Sequence, residues 1–418
     1  MSAPNAKVAL VYALSEAKRS LLDRLFGRAF LALGDQGMVS VATFITGWFV
    51  TKVSKEEAGL YTMSLSLWVL LSEVHNSLVS NPHMIRVPKL RGRILQAFNG
   101  STLTHQLILS AVLTVLTLMA ANVAWAHGAR DEASILLVSA LGTMPVTLRN
   151  YARNFCFATR RADHAFVLDG FVSALQVGGV IVLAWMHKLG AVNAVLVLAA
   201  ANLISTIGWL VFARSSFSMR GKYVRCIAKH NWQIGKWIFA SSMMWVAGMN
   251  LYPWVINGLR GAGEAGVFGA CGLLASLGNP LVTALQNHLG PSIAHAHDEM
   301  NEEAFRRYVL RATIGFALLV LPISVGMALF SQRLLDLLYK GQYAGNGPVA
   351  AVLVFAIVAQ AGSFAASRGL FCIGRAKLDM MTNIVPIGIL LTLGVWAVWR
   401  MARWARRSRC SSRRRRDW

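Results

Sequence analysis

The stretch Glu57-Ala58-Gly59-Leu60-Tyr61 occurs again as Glu264-Ala265-Gly266-Val267-Phe268, 207 residues further on, and each copy stands between two long apolar runs. A period of that length is several times a solenoid unit, so the chain reads as two related halves. Other landmarks hold a similar offset. Gly27-Arg28 and Gly235-Lys236 open corresponding runs, and Pro82 and Pro291 are expected to close the runs that follow the repeat. Further on, Arg153-Asn154-Phe155-Cys156 with Arg161-Ala162 matches Arg368, Phe371-Cys372 and Arg375-Ala376.

With 56% hydrophobic and 14% charged residues in 418, and a mean hydropathy of +0.51, the chain is too apolar for a soluble domain of this size. It is expected to be a multi-pass membrane protein. A net charge of +23 would suggest a nucleic-acid partner in a soluble protein, but here Lys and Arg lie between the apolar runs, where they orient a chain in the bilayer. No nucleic-acid partner is expected. The five cysteines, Cys156, Cys226, Cys271, Cys372 and Cys410, show neither CxxC nor Cys/His spacing, so they read as packing residues and neither metal nor cofactor is expected. The basic N-terminus has no apolar core with a small-residue cleavage site, which argues against a removable signal peptide.

A spanning helix needs about 20 mostly apolar residues. That ruler predicts eleven, near 28–51, 59–81, 104–126, 133–157, 164–187, 190–213, 235–258, 265–289, 310–331, 349–372 and 379–400. An inside N-terminus puts 25 Lys and Arg on the cytoplasmic side against seven on the other, leaving aside nine Arg from residue 400 on. That asymmetry is the positive-inside pattern. Six helices separate equivalent positions, so both halves enter the membrane in the same sense and a pseudo-two-fold axis would lie along the membrane normal.

The expected organisation is a basic cytoplasmic N-terminus (1–27), a six-helix half (28–213), a basic cytoplasmic loop as linker (214–234), a five-helix half (235–400) and an Arg-rich tail (401–418). Residues 84–98 have the mixture of apolar and basic residues of a surface helix in the headgroup layer, and 297–308, acidic then basic, read equally as a second cytoplasmic surface helix or as a solvated connection. The chain closes on Arg413-Arg414-Arg415-Arg416-Asp417-Trp418 where a twelfth helix would stand. We expect a reading frame truncated or shifted near residue 400.

No P-loop, HExxH, GxSxG or GxGxxG fingerprint is present, and catalysis is not expected. What remains is polar chemistry at membrane depth, where such groups line cavities or pair with one another. Asp35, in the first span, reads either as a proton or cation site coupling transport or as a carboxylate bonded to a neighbouring helix near Gln36 and Ser40. Glu73, His75 and Asn76 suit an interfacial, snorkelling role. Arg149, Asn150 and Arg153 end the fourth span and Arg368 ends the tenth, where they would anchor the helices or capture an anionic substrate. Asp169 stands in the fifth span. In the second half Asn250, Tyr252, Asn257, Gln286, Asn287, His288 and Gln360 are candidates for hydrogen bonding to a polar substrate. Pro145, Pro253 and Pro280 would kink or break their spans.

Two parallel six-helix halves, a basic N-terminus followed by Gly27-Arg28, the paired Glu-Ala-Gly corners, and Pro82 with Pro291 resemble the polysaccharide-type flippases of the multidrug/oligosaccharidyl-lipid/polysaccharide exporter superfamily. The resemblance covers residues from about 24 to 398; the missing twelfth helix is a departure from it. It implies translocation of an undecaprenyl-pyrophosphate-linked oligosaccharide across a bacterial inner membrane through a V-shaped cavity between the halves. Arginines would serve the phosphates, and Asn, Gln, Tyr or His the sugar hydroxyls. Partners would be this glycan lipid, membrane lipids, glycosyltransferases and a polysaccharide polymerase. Two other readings stand beside it: a cation-coupled exporter of small drugs or metabolites, which would lean on Asp35, and a non-transporting membrane scaffold for glycan assembly.

Overall fold

The computed structural model describes residues 34–159, 161–218, 221–373, 376–389, 392 and 396, and among these there are helices, turns and bends but no strand. The 1–27 N-terminus, Gly27-Arg28 and the 401–418 tail lie outside the described residues.

The helices run in chain order as α1 (34–51), α2 (Lys55–His75), α3 (Asn81–Arg86), α4 (Gly92–Ala126), α5 (Arg130–Ala158), α6 (Ala162–Trp185), α7 (Ala191–Ala213), α8 (Gly221–Asn250), α9 (Tyr252–Arg260), α10 (Ala262–Ser276), α11 (Asn279–Glu299), α12 (Glu302–Leu329), α13 (Ser331–Tyr339), α14 (Gly347–Cys372) and α15 (Ala376–Ile389). Six of the described helices are long and apolar enough to cross a membrane on that evidence alone: α4, α5, α6, α7, α12 and α14. On α4 the large side chains Ile108, Val112, Val115, Leu116, Met119 and Val123 are exposed, as the lipid-facing stripe of a membrane helix must be. The protein is therefore an all-α, multi-pass membrane protein.

Helices α2 and α4 to α7 pack together, and α10, α11, α12 and α14 form a second cluster. Within the first, helices are joined by a polar seam. The Ser64 and Ser139 hydroxyls lie 2.6 Å apart, Trp68 Nε1 donates to the Ser139 carbonyl at 2.9 Å, Gln106 Nε2 donates to the Thr147 carbonyl at 3.0 Å, and the Ser110 and Thr147 hydroxyls meet at 2.9 Å. Where lipid tails are as apolar as leucine, such bonds and small-residue packing hold helices together.

The clusters meet where the repeated motif lies. Ser54 caps α2, its hydroxyl accepting from the Glu57 amide at 3.1 Å. The first-turn acids Glu56 and Glu57 complement the helix dipole. Helix α2 crosses α10 with Gly59 against Gly266, and a Cβ on either would run into the backbone of the other helix. Glu57 reaches further, its carboxylate accepting from the Ala191 amide at the start of α7. The paired Glu-Ala-Gly segments are structural corners. On the same side of the molecule Trp48 Nε1 donates to the Leu338 carbonyl at 3.0 Å and the Tyr343 hydroxyl to that of Thr51 at 2.9 Å.

Four expectations are corrected. Of the 214–234 stretch read as a loop, residues from Gly221 on are helical: α8 starts there and runs 30 residues. Its more sheltered positions Val224, Ile227, Asn231, Gly235 and Ile238 recur at helical spacing, while Arg225, Lys229 and Lys236 are exposed. The basic residues thus form one face of a helix rather than a solvated string. Residues 84–98 are not a separate surface helix, because α4 begins at Gly92 and continues as one rod of 35 residues. The connection read at 297–308 shrinks to Met300 and Asn301, with Asn301 capping α12 through the Ala304 amide at 2.9 Å. Neither Pro82 nor Pro291 ends its helical course, which runs on to Arg86 in one case and Glu299 in the other. Pro82 instead opens α3, after a π-helical turn over Asn76–Ser80. Pro253 and Pro280 do mark breaks, each near the N-terminus of its helix, whereas Pro145 lies inside a continuous α5.

Candidate functional site

Arg149 and Arg153 are four residues apart and so share one face of α5. That face is met by Asp35 from α1 and Asp169 from α6. Arg149 Nη2 lies 2.5 Å from Asp169 Oδ1, Arg153 Nε lies 2.8 Å from Asp169 Oδ2, and Arg153 Nη2 lies 2.6 Å from Asp35 Oδ2. Both aspartates are sealed, at 1% and 0% exposure, while Arg149 shows 12% and Arg153 26%. The Asp169 contacts are close ion pairs rather than aligned hydrogen bonds.

Around this core the cluster extends toward α2. Arg153 Nη2 also reaches Gln36 Oε1 at 3.2 Å, and Arg149 Nη1 donates to Asn150 Oδ1 at 3.2 Å. Asn150 Nδ2 in turn donates to the Ser72 hydroxyl at 3.0 Å, and Asn154 Nδ2 to Asn76 Oδ1 in the π-helical turn at 3.2 Å. Two guanidiniums and two carboxylates make a neutral set, which is what a buried ionic cluster requires to offset desolvation. Arg153 is the more exposed of the two cations and is shared between both acids. An anion approaching from the open side would meet it first.

A second feature lies among α8, α11, α14 and α15. A cavity of about 500 Å³ is lined by Ser241, Ser242, Trp245, Gln286, Gln360, Ser363, Phe364, Ser367, Thr382 and Asn383, with a few apolar neighbours. Among the described residues its lining carries no charge. Hydroxyls and amides beside two aromatic rings suit a ligand that is itself rich in hydroxyls, since each bond can be donated or accepted without charge. The Ser242 hydroxyl lies 2.9 Å from that of Ser77 in the π-helical turn, tying the cavity wall to the first cluster.

The residues singled out from sequence therefore part into three groups. Arg149, Asn150 and Arg153 join Asp35 in the ionic cluster. Gln286 and Gln360 line the cavity, and Arg368, exposed, stands 5.0 Å from the ring of Phe364, which also lines it. Asn250, Tyr252 and Asn257 belong to neither. Asn250 Nδ2 bonds back to the Val246 carbonyl at 2.9 Å, Tyr252 stacks on Phe268 at 6.3 Å, and Asn257 Nδ2 donates to Glu132 Oε1 at 3.1 Å. The interfacial role read for His75 is corrected, because it is 1% exposed and packed inside the bundle. Asp169, a candidate as a carboxylate within an apolar run, joins the ionic cluster as the acid shared by both arginines. Trp245 and Asn383 carry no such mark.

A family model described as "Polysaccharide biosynthesis protein" matches residues 95–347. No curated protein matches the chain. Among solved structures it is similar to an inward-facing multidrug resistance MATE family transporter of the MOP superfamily, at 17% identity and a TM-score of 0.66, covering 89% of this chain and 93% of that one. An outward-facing MATE family transporter of the same superfamily aligns at 16% identity and a TM-score of 0.60 over 89% of each chain. A MOP superfamily transporter from Pyrococcus furiosus, described by the reverse polarity of its binding pocket, aligns at 15% identity and a TM-score of 0.60 over 90% of each. At these identities the likeness is one of fold.

Proposed function

The chain belongs to the polysaccharide biosynthesis protein family, within the MOP superfamily whose fold it has, and from that premise we propose that it is a flippase for a polyprenyl-pyrophosphate-linked oligosaccharide. In this reading the two helix clusters are halves related by a pseudo-two-fold axis, and rocking of one against the other exposes the site alternately to each side. The membrane is the bacterial inner membrane, with the basic connections cytoplasmic. Glycosyltransferases and a polymerase would act before and after it.

The observation that carries the proposal is the uncharged cavity with Ser242, Trp245, Gln286, Gln360, Ser363 and Asn383 in its lining. A sugar head group cannot cross about 30 Å of hydrocarbon without its hydroxyls being satisfied. These side chains supply that satisfaction, and the rings supply a flat apolar surface for a pyranose face. The pyrophosphate would compete with Asp35 and Asp169 for Arg153, so its capture and release would pass through rearrangement of the ionic cluster.

The test is complementation in cells depleted of their own flippase. Gln286→Ala, Gln360→Ala and Asn383→Ala together are expected to cut surface glycan and accumulate lipid-linked precursor inside, with the protein still present in the membrane. Unchanged export would overturn the reading. A second reading, a cation-coupled exporter of small molecules, draws on the buried carboxylates Asp35 and Asp169. It would be favoured by drug sensitivity that responds to Asp35→Asn while glycan export does not.

A further inference from the structure

His75 is the last residue of α2 and is enclosed by the bundle. Neither nitrogen of its ring has a hydrogen-bond partner among the described residues. Gln106 of α4, also sealed, lies beside the ring without being aligned to it. Its Nε2 donates to the Thr147 carbonyl at 3.0 Å, while its Oε1 has no partner. The buried hydroxyl of Tyr151 on α5 is a third such group, and Tyr151 packs in one cluster with Val79, a turn further along the chain from His75. Buried polar groups are nearly always paired. An imidazole open at both nitrogens beside an open acceptor is therefore not accounted for by packing.

The π-helical turn Asn76–Ser80 follows at once, and α3, α4, α5 and α8 all meet it. The other charged and titratable groups around this end of α2 are engaged elsewhere. Glu73, on His75's own helix, accepts from the Ser77 hydroxyl at 2.8 Å, and Arg149 and Arg153 on α5 are held by Asp35 and Asp169. His83 Nε2 on α3 lies 2.9 Å from Asn99 Oδ1, and His105 Nε2 on α4 donates to the Val224 carbonyl at 2.8 Å. Arg86 on α3 has an interaction of its own, and Lys229 and Lys236 on α8 are exposed. Two links leave the turn. Asn154 Nδ2 on α5 donates to Asn76 Oδ1 at 3.2 Å, and the Ser77 hydroxyl lies 2.9 Å from that of Ser242 in the wall of the uncharged cavity. With the Ser77 proton given to Glu73, that second link is made by the Ser242 proton, which has another acceptor in the Ile238 carbonyl at 2.8 Å. Turning one hydroxyl makes or releases it.

We propose that His75 is a proton site whose occupancy sets the π-helical turn and, through Ser77 and Ser242, the wall of the cavity. A proton added to the ring makes donors of both nitrogens. Gln106 Oε1 is free to accept from one of them. The second needs an acceptor that the present setting of the ring does not offer, so uptake goes with a movement of the ring. The turn joined to it moves as well, and π-helical turns of this kind are frequent at functional sites. The proton comes from solvent and returns to it. That the cavity carries the transported group rests on the reading above; the proton site itself does not depend on what is carried.

The test uses the full chain in neutral detergent, scanned between about pH 5 and 8, where histidine charge changes occur. One readout is the NMR signal of the His75 ring in histidine-labelled protein, assigned by its loss in His75→Gln or His75→Asn. The other is the emission of an environment-sensitive fluorophore on Ser363→Cys in the cavity lining, with the native cysteines replaced. The ring signal is expected to titrate, and the emission to change with the same midpoint. His75→Gln, which keeps a donor and an acceptor but takes no charge, is expected to abolish the emission change. Ser242→Ala is expected to keep the ring titration and lose the emission change. Unfolding temperatures show whether each variant is folded, and the titration of the native ring needs no variant to fold. A ring signal that stays constant across the scan, or an emission change that His75→Gln leaves intact, overturns the proposal. An emission change that survives Ser242→Ala overturns the path through Ser77. Neither readout involves a glycan, so this proposal and the reading of the cavity fail separately.

Discussion

Gly59 and Gly266 pack reciprocally: a Cβ on Gly59 would lie 3.0 Å from the Gly266 amide nitrogen, and a Cβ on Gly266 would lie 2.9 Å from that of Gly59. Each would also strike the carbonyl of the residue four before its partner, Ala262 in one case and Lys55 in the other. A contact in which i meets j as j meets i is how an isologous interface is built. Gly59→Ala or Gly266→Ala is expected to cost about 1–3 kcal/mol through overpacking against backbone that cannot yield. Both wedges separate the same crossing, so the double variant should lose less than the sum. Thermal unfolding of the four proteins measures this, and strict additivity would count against a shared crossing.

In the ionic cluster, removing one partner leaves the other buried and uncompensated. Arg149→Leu leaves Arg153 alone between the two sealed carboxylates Asp35 and Asp169, one positive charge short, and a loss of about 3–5 kcal/mol is expected. Pairing Arg153→Leu with Asp35→Leu should recover much of what Arg153→Leu loses alone. A double variant no better than the single one would mean the pair does not act as a unit.

Glu57 ties the α2 corner to α7 by capping the Ala191 amide. Glu57→Ala is expected to cost about 1 kcal/mol, as loss of a capping acceptor does. Hydrogen exchange should rise at the first turn of α7, and Glu57→Gln, which keeps an acceptor, should restore most of the protection.

Trp245 and Phe364 are the two rings in the cavity lining that carries the proposed glycan. Trp245→Ala should weaken glycan binding by about ten-fold or more, at roughly 1–3 kcal/mol for a lost aromatic platform. Trp245→Phe should retain most of it. Binding of a soluble oligosaccharide followed by quenching of intrinsic tryptophan fluorescence would distinguish the two.

Much of this architecture can be read from the residues alone, and the parts that cannot share one cause. The apolar runs, the paired corners and the four-residue spacing of Arg149 and Arg153 are local properties. That Asp35 and Asp169 close on those arginines depends on α1 and α6 both lying beside α5, a matter of packing between segments over a hundred residues apart for Asp35. Residues 221–234 look like a loop in the sequence because exposed Arg225, Lys229 and Lys236 alternate with a sheltered face. A basic composition and a basic helical face look alike until the face has something to rest on. The uncharged cavity was legible only through Gln286 and Gln360, since Trp245 and the serines are unremarkable in a membrane helix.

The connection between the helix clusters has a mechanical consequence. Helix α8 carries the chain from its contacts with α4 to its contacts with α2 without interruption. At 30 residues it spans about 45 Å as a single rod. A slack tether would absorb an extra residue, whereas a rod turns everything beyond the insertion by about 100°. One alanine inserted after Arg225 is therefore expected to abolish glycan export, while the same insertion in the turn at His127–Ala129 is tolerated. Equal tolerance at both positions would show that α8 does not transmit rotation. Such a joint would act as a shaft with a defined angular phase, its length in residues a setting rather than a spacer.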